Sequence, residues 1–267
     1  MNSKYKKIIL VILIIVGAYL LINPGSNYER IDIVGSTSVQ PVAEKLATEF
    51  MKNHPNIKVY VQGGGSGTGI RSAEQGIASI GMSSKELDEN EKKNLTEIEI
   101  GKEGIVIAVN NKNNISELTI NQIKDIFNGK VTNWKDIGGN DLEIHIITRE
   151  EGSGTRSAFE SIVMGSTKIK SDAIVQSSTE AVKQSVSSDP GAIGFVSFAH
   201  MSEEVKALSV DNIYPTEETI SNGEYELQRP FLFLIKGKSS GIVEEFLNWV
   251  KSPAGNKIIK EEKIIPS

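Results

Sequence analysis

The chain contains no cysteine. This excludes disulfides, thiolate nucleophiles, Cys-ligated zinc and lipid attachment through a processed N-terminal cysteine. Histidine is nearly absent as well: His54, His145 and His200 are the three in 267 residues. They stand apart, with no H-E-x-x-H spacing and no triad-like context, and read as surface or packing residues. Aromatic residues make up 6% of the chain and the formal net charge is −5. A polyanion binder needs the opposite sign of charge, so nucleic acid is excluded as a partner. Several enzyme motifs fail on spelling. The glycine-rich stretch Gly63–Gly69 registers no G-x-G-x-x-G, and its Ile70-Arg71 stands where a Walker loop carries Lys and a hydroxyl. No G-x-S-x-G nucleophile elbow occurs around Ser66 or Ser153. The neighbouring carboxylates Glu150-Glu151 and Glu217-Glu218 lie in polar segments and read as solvated. No catalytic residue, metal ligand or cofactor is expected.

What is present is ordinary for a soluble domain: 39% hydrophobic and 24% charged residues, in a length that accommodates one large domain or two lobes. The N-terminus is the exception. Lys4, Lys6 and Lys7 precede the apolar run Ile8–Ile22, and no charge returns until Glu29. A positive flank followed by about 20 uncharged residues is an export signal or a membrane-spanning anchor. Gly17-Ala18-Tyr19 is a poor cleavage site, so an uncleaved anchor over residues 1–28, with its linker from Asn23, is expected over a removed signal peptide. Either way the remainder lies outside the cytoplasm.

From Glu29 onward, strand-like and helix-like segments alternate. Arg30–Val34, Lys58–Gln62, Ile105–Val109, Ile144–Thr148, Ile193–Val196, Ala207–Val210 and Phe231–Ile235 read as strands. Val39, Val42, Leu46 and Phe50 recur at helical spacing up to His54-Pro55. Thr119-Ile120-Asn121-Gln122 is a capping box for a helix ending at Gly129, and Gly241–Val250 reads as a closing helix. The alternation predicts an α/β fold with mainly parallel sheets covered on both faces.

One phrase occurs twice: Gly65-Ser66-Gly67-Thr68 and Gly152-Ser153-Gly154-Thr155. Each copy joins a strand to a helix, as does the related Gly35-Ser36-Thr37-Ser38. Such turns leave backbone N–H groups free at the positive end of a helix dipole, which is an anion site. Three of them predict convergence on one small oxyanion. Arg149, at the end of a strand beside the second copy, can add two charge-assisted bonds. Glu151 is expected to hold its plane, and Arg156 either joins the site or points outward.

These segments, with Gly81-Met82-Ser83-Ser84, Arg149–Arg156, Asp189–Phe195, Val210-Asp211, Tyr214-Pro215-Thr216 and Arg229-Pro230, resemble in order the phosphate-binding proteins of high-affinity phosphate ABC transporters, the PstS family. The resemblance implies a two-lobed periplasmic-binding-protein fold of type II, with the ligand in the interlobe cleft. Lobe I would comprise residues 29–108 and 228–267, and lobe II residues 109–227. It implies inorganic phosphate as ligand, ABC permease subunits in the membrane as partners, and a monomer that performs no chemistry. Carried over by position, Thr37, Ser38 and Ser66 would bind from the first lobe, and Arg149, Ser153, Gly154 and Thr155 from the second. The family's pocket aspartate corresponds to Ser84, a residue that can both donate and accept. Other readings remain open on sequence grounds: a binder of sulfate or molybdate, a membrane-anchored phosphate sensor, and a secreted phosphoryl-transfer enzyme using the same donors.

Overall fold

A computed structural model describes residues 28–267. The expected membrane segment Ile8–Ile22 and its linker lie outside the described residues. Among the described residues, no helix is long and apolar enough to cross a membrane.

The first half of the chain builds β1 (Glu29–Gly35), α1 (Gln40–Asn53), β2 (Ile57–Gly63), α2 (Ser66–Glu74) and β3 (Ile80–Ser83). Ile31 and Ile33 alternate inward along β1 and face the stripe Val42, Leu46 and Phe50 of α1. Pro41 suits the first turn of α1, where no N–H is needed, and α1 stops at His54 before Pro55. β2 and β3 flank β1 in parallel.

The strand β4 (Leu95–Val109) is longer than its predicted piece Ile105–Val109. Its first part, through Gly104, runs antiparallel to β11 (Gln228–Lys236), and from Ile105 onward it runs antiparallel to β8 (Ala192–Ser197). The two chain crossings are bonded together, Ile105 N donating to Leu227 O at 2.7 Å. Beyond the crossing come β5 (Glu117–Leu118), α3 (Ile120–Phe127), β6 (His145–Arg149), α4 (Gly154–Phe159), β7 (Ile174–Gln176) and α5 (Thr179–Ser188). The Thr119/Gln122 capping box opens α3 as predicted. After β8, the predicted strand Ala207–Val210 divides into β9 (Lys206–Ala207), paired with β4, and β10 (Ser209–Val210), paired with β5. The short α6 (Glu217–Ser221) precedes β11.

The sheet order is β2-β1-β3-β11-β4-β8-β6-β7. Its flanks are parallel, but every pairing made by β4 and β11 is antiparallel. The expectation of mainly parallel sheets is thus corrected to a mixed sheet, because the segments that cross between the halves return in opposite directions. Gly241–Val250 (α7) is also not the last helix. Ser252 caps α8 (Pro253–Glu261), with proline at its start, and β12 (Ile265–Pro266) follows on β4.

Each half has its own core. In the first, Phe50 meets Phe246 edge-on at 5.1 Å between centroids. In the second, Phe159 stacks on Phe195 at 4.3 Å, with Phe127 beside both. Each such ring contributes roughly 1.5–3 kcal/mol by burial. The halves are therefore independently packed, and the strand ends that carry the glycine turns meet between them.

Candidate oxyanion site

The turn after β1 requires glycine. Gly35 has φ +145, and a Cβ there would fall 2.3 Å from Met82 O. The chain then rises through Ser36, Thr37 and Ser38 into α1, with Ser36 O accepting from Val39 N and Gln40 N. Ser38 is buried and reaches across to the other half. Its Oγ lies 3.0 Å from Thr155 Oγ1 and 2.9 Å from Thr179 Oγ1.

Arg149 ends β6 and is 1% exposed, the largest buried cation-bearing side chain in the second half. Its Nη1 donates to Thr179 Oγ1 at 3.1 Å. Its Nε and Nη2 donate to the two carboxylate oxygens of Glu150 at 2.9 and 2.8 Å. The partner that holds the guanidinium plane is therefore Glu150. Glu151, expected in that role, is exposed; the turn beginning after Arg149 directs the nearer carboxylate back along the guanidinium edge and the next one to solvent. Arg156 does not enter the cluster. It bonds Glu160 at 2.8 Å and donates to the main-chain oxygen of Arg149 at 3.0 Å, bracing the strand end.

The two copies of the repeated phrase touch, Gly67 N donating to Gly152 O at 3.0 Å. Ser153 caps α4 by accepting from Arg156 N, and Thr155 follows in its first turn. At Gly154 the other half leaves no room for a side chain. A Cβ there would lie 2.1 Å from Ser66 Oγ and 2.7 Å from Ser84 Oγ. Ser66 Oγ in turn accepts from Ser84 N at 3.0 Å. Ser38, Ser66, Ser84, Arg149, Ser153, Gly154 and Thr155 thus come together from both halves. Thr37 sits at the same turn, but its buried Oγ1 has no hydrogen-bond partner.

Ser84 is more constrained than a serine need be. Its Oγ accepts from Ser36 Oγ at 2.8 Å and from Arg229 Nη1 at 3.2 Å. Arg229 is itself fully enclosed. It pairs with the buried Glu103 directly opposite on β4, through Nε at 2.8 Å and through Nη2. The other oxygen of Glu103 accepts from Ser197 Oγ and from Ala199 N at 3.4 Å. Burial lowers the Arg229 pKa, Glu103 opposes that shift, and the field of Arg149 adds to it. His200, next to this network in sequence, is pushed down to about 4 by burial and by Arg229, Lys183 and Arg149. Its Nδ1 is buried without a partner. A cleft of about 410 Å³ flanks the cluster, lined by Lys85, Lys102, Ser157 and Arg229 among others.

Thr179, Ser36, Arg229 and Glu103 were not among the predicted site residues. Thr179 had a local signal, since Ser178 is an N-cap with Ala181 N as donor and α5 begins there. Glu103 and Arg229 are charges bordering apolar strand runs, a pattern that becomes informative only when β4 and β11 pair. Among the described residues, no group of three or more His, Asp or Glu is placed to hold a metal ion.

A family model of the PBP superfamily domain matches residues 23–254. The phosphate-binding protein PstS of Bacillus subtilis (strain 168) is 33% identical over 239 residues, covering 88% of this chain and 79% of that protein. The PstS protein of Borreliella burgdorferi is 27% identical over 271 residues, covering 96% and 97%. A Clostridium perfringens structure described as a phosphate ABC transporter substrate-binding protein with bound phosphate superposes with a TM-score of 0.87 at 36% identity, covering 90% of this chain and 100% of that one. An ABC-type phosphate transport receptor from Vibrio cholerae gives 0.76 at 36% identity, covering 89% and 100%. With its glycine turns and buried arginine set between two separately packed halves, this chain belongs to the PstS family of phosphate-binding proteins, within the periplasmic-binding-protein superfamily.

Proposed function

We propose that this protein captures inorganic phosphate outside the cytoplasm and delivers it to the permease of an ABC importer. The observation that carries the reading is the enclosed Arg149, whose Nη1 donates to Thr179 Oγ1 at one end of a chain of hydroxyls from the starts of three helices, Thr179, Ser38 and Thr155. On this reading those hydroxyls bond one another when the halves meet and turn to the anion when it arrives, joined by Thr37, Ser66, Ser84, Ser153 and the N–H of Gly154. Donors at helix starts and a preorganised guanidinium favour a small multiply charged oxyanion, because each added donor acts in a medium where charge is poorly screened. The protein binds and releases its ligand unchanged, as a monomer.

The crossings at Gly104–Ile105 and at Leu227 act as the hinge between lobes, and phosphate closes them. The apolar segment Ile8–Ile22 holds the protein to the cell membrane, beside the permease. Family members in ABC transporters are extracytoplasmic, which agrees with the lysine-flanked N-terminus. Titration calorimetry of the soluble part is the test. Arg149→Ala should weaken phosphate at least about tenfold, since a charged hydrogen bond in a closed cleft contributes roughly 2–5 kcal/mol. An unaltered dissociation constant would remove Arg149 from the ligand. X-ray scattering should show a smaller radius of gyration with phosphate than without; identical curves would mean that the halves do not move.

A further inference from the structure

We propose that Arg229, held by Glu103, is a specificity-determining residue that fixes Ser84 as a hydrogen-bond donor toward the anion. The inference rests on the phosphate reading above. A serine oxygen has two lone pairs and one proton. At Ser84 both lone pairs are engaged, one by Ser36 Oγ at 2.8 Å and one by Arg229 Nη1 at 3.2 Å. The proton is what remains for a ligand. The nearest protein acceptor for it, Ser66 Oγ, is 3.3 Å away and already accepts from Ser84 N. An anion oxygen arriving between the halves therefore meets a donor at position 84, and an oxygen that carries its own proton finds no acceptor there.

The carboxylates nearest the cluster do not supply one. Glu150 gives both oxygens to Arg149, and Glu103 gives one to Arg229 and the other to Ser197 and Ala199. The ion pair is also built to stay in place. Glu103 and Arg229 are 0% and 3% exposed and face each other across β4 and β11. They lie within two residues of the crossing bond between Ile105 and Leu227. A buried pair of this kind is weak as a source of stability but strong as a fixture of position. Hydrogen phosphate carries a proton and sulfate does not, so a donor fixed at position 84 favours neither by its proton. Freeing Ser84 to accept would favour phosphate.

The experiment measures phosphate and sulfate dissociation constants at one pH and ionic strength and takes their ratio. Glu103→Gln/Arg229→Gln removes the pair without stranding a buried charge. Its ratio should shift toward phosphate by about fivefold, the worth of one neutral hydrogen bond. Ser36→Ala frees the other lone pair and leaves the ion pair untouched; it should shift the ratio the same way, by less, and tests the donor role of Ser84. Arg229→Lys, which keeps a cation for Glu103 and loses the guanidinium arm that reaches Ser84, decides the role of Arg229 if the double variant does not fold. In a Ser84→Ala background none of these changes should move the ratio. A ratio unmoved in the double variant, or in Arg229→Lys where the double variant does not fold, overturns the role given to Arg229. So does an equal shift with and without Ser84. If the unaltered protein binds neither anion, the functional reading fails and takes this inference with it; an unmoved ratio overturns the inference alone.

Discussion

At Gly65–Thr68 the chain enters α2 through a glycine with φ +83, so the N-cap is Gly65 and Ser66 is already helical. At Gly152–Thr155 the same four residues enter α4 one position later, with Ser153 as N-cap in an extended conformation and Gly154 as the first helical residue. The shift gives the two serines different partners. Ser66 turns back into its own half to accept from Ser84 N, while Ser153 is occupied by Arg156 N. The flanking residues account for the difference. Gly63-Gly64 lets the first turn wrap tightly, Gly64 N reaching Gly35 O at 2.8 Å. Glu150-Glu151 begins the second turn after a strand end pinned by Arg149. Identical spelling therefore does not confer identical roles, and corresponding positions of the two phrases should respond differently to the same substitution.

The third residue of the phrase should show the largest contrast. Gly154→Ala places a methyl group against Ser66 and Ser84 of the other half, whereas at Gly67 the nearest atom to a new Cβ is Arg71 Nη1 at 3.3 Å, the end of a flexible side chain. Phosphate affinity should fall at least about a hundredfold in Gly154→Ala, near 3 kcal/mol, and by less than about threefold in Gly67→Ala. Equal affinities in the two variants, read by calorimetry, would mean that the phrases are interchangeable.

A second test concerns His200, on which Arg229 of one half and Lys183 and Arg149 of the other all act. Burial comes first and these cations add to it, holding the His200 pKa at about 4 against an ordinary 6.5. A base with a depressed pKa is neutral in the folded state and protonates on unfolding. Its contribution is therefore fully present above pH about 6.5 and is lost as pH falls toward 4, to an extent on the order of 3 kcal/mol. Urea unfolding at stepped pH should show this acid limb flattened in His200→Gln. Matching limbs in the two proteins would assign acid sensitivity elsewhere.

The first residue of the phrase gives a smaller contrast. Gly65→Ala forces a side chain into an extended positive-φ conformation that only glycine readily adopts, at a cost of roughly 1–3 kcal/mol. A Cβ at Gly152 meets nothing within 4 Å, so Gly152→Ala should stay within about 0.5 kcal/mol of the parent. Denaturant midpoints decide this; a Gly152 variant as unstable as the Gly65 variant would contradict the geometry. The second residue closes the series. Ser153→Ala loses a helix cap and should cost about 1 kcal/mol of stability. Ser66 caps nothing but accepts from the buried Ser84 N, so Ser66→Ala should lower affinity and also cost about 1–3 kcal/mol of stability. A Ser66→Ala midpoint equal to that of the parent would show that Ser84 N finds another partner.

Local chemistry was enough to read much of this chain. Periodicity located α1, β1 and β2 because their apolar residues repeat at the period of the element that buries them. Thr119 and Gln122 announced α3 because a capping box is closed within four residues. The expectation of an anion site from hydroxyls beside glycines at strand ends is local in the same way, since the free N–H groups of a helix start are a property of a few neighbouring residues. The N-terminal lysines and the apolar run that follows are equally local.

Tertiary structure alone decided the rest, and each case involves partners distant in the chain. Glu103 and Arg229 become a pair only because β4 and β11 lie side by side, and Ser84 becomes a donor only because that pair and Ser36 both reach its oxygen. Thr179 enters the cluster because α5 starts beside both Ser38 and Arg149. The choice of Glu150 over Glu151 and the one-residue shift between the two glycine phrases depend on backbone angles set by packing, which no count of spacing contains. A residue's type limits what bonds it can make; which of them it makes depends on the atoms that long-range folding brings within about 3 Å.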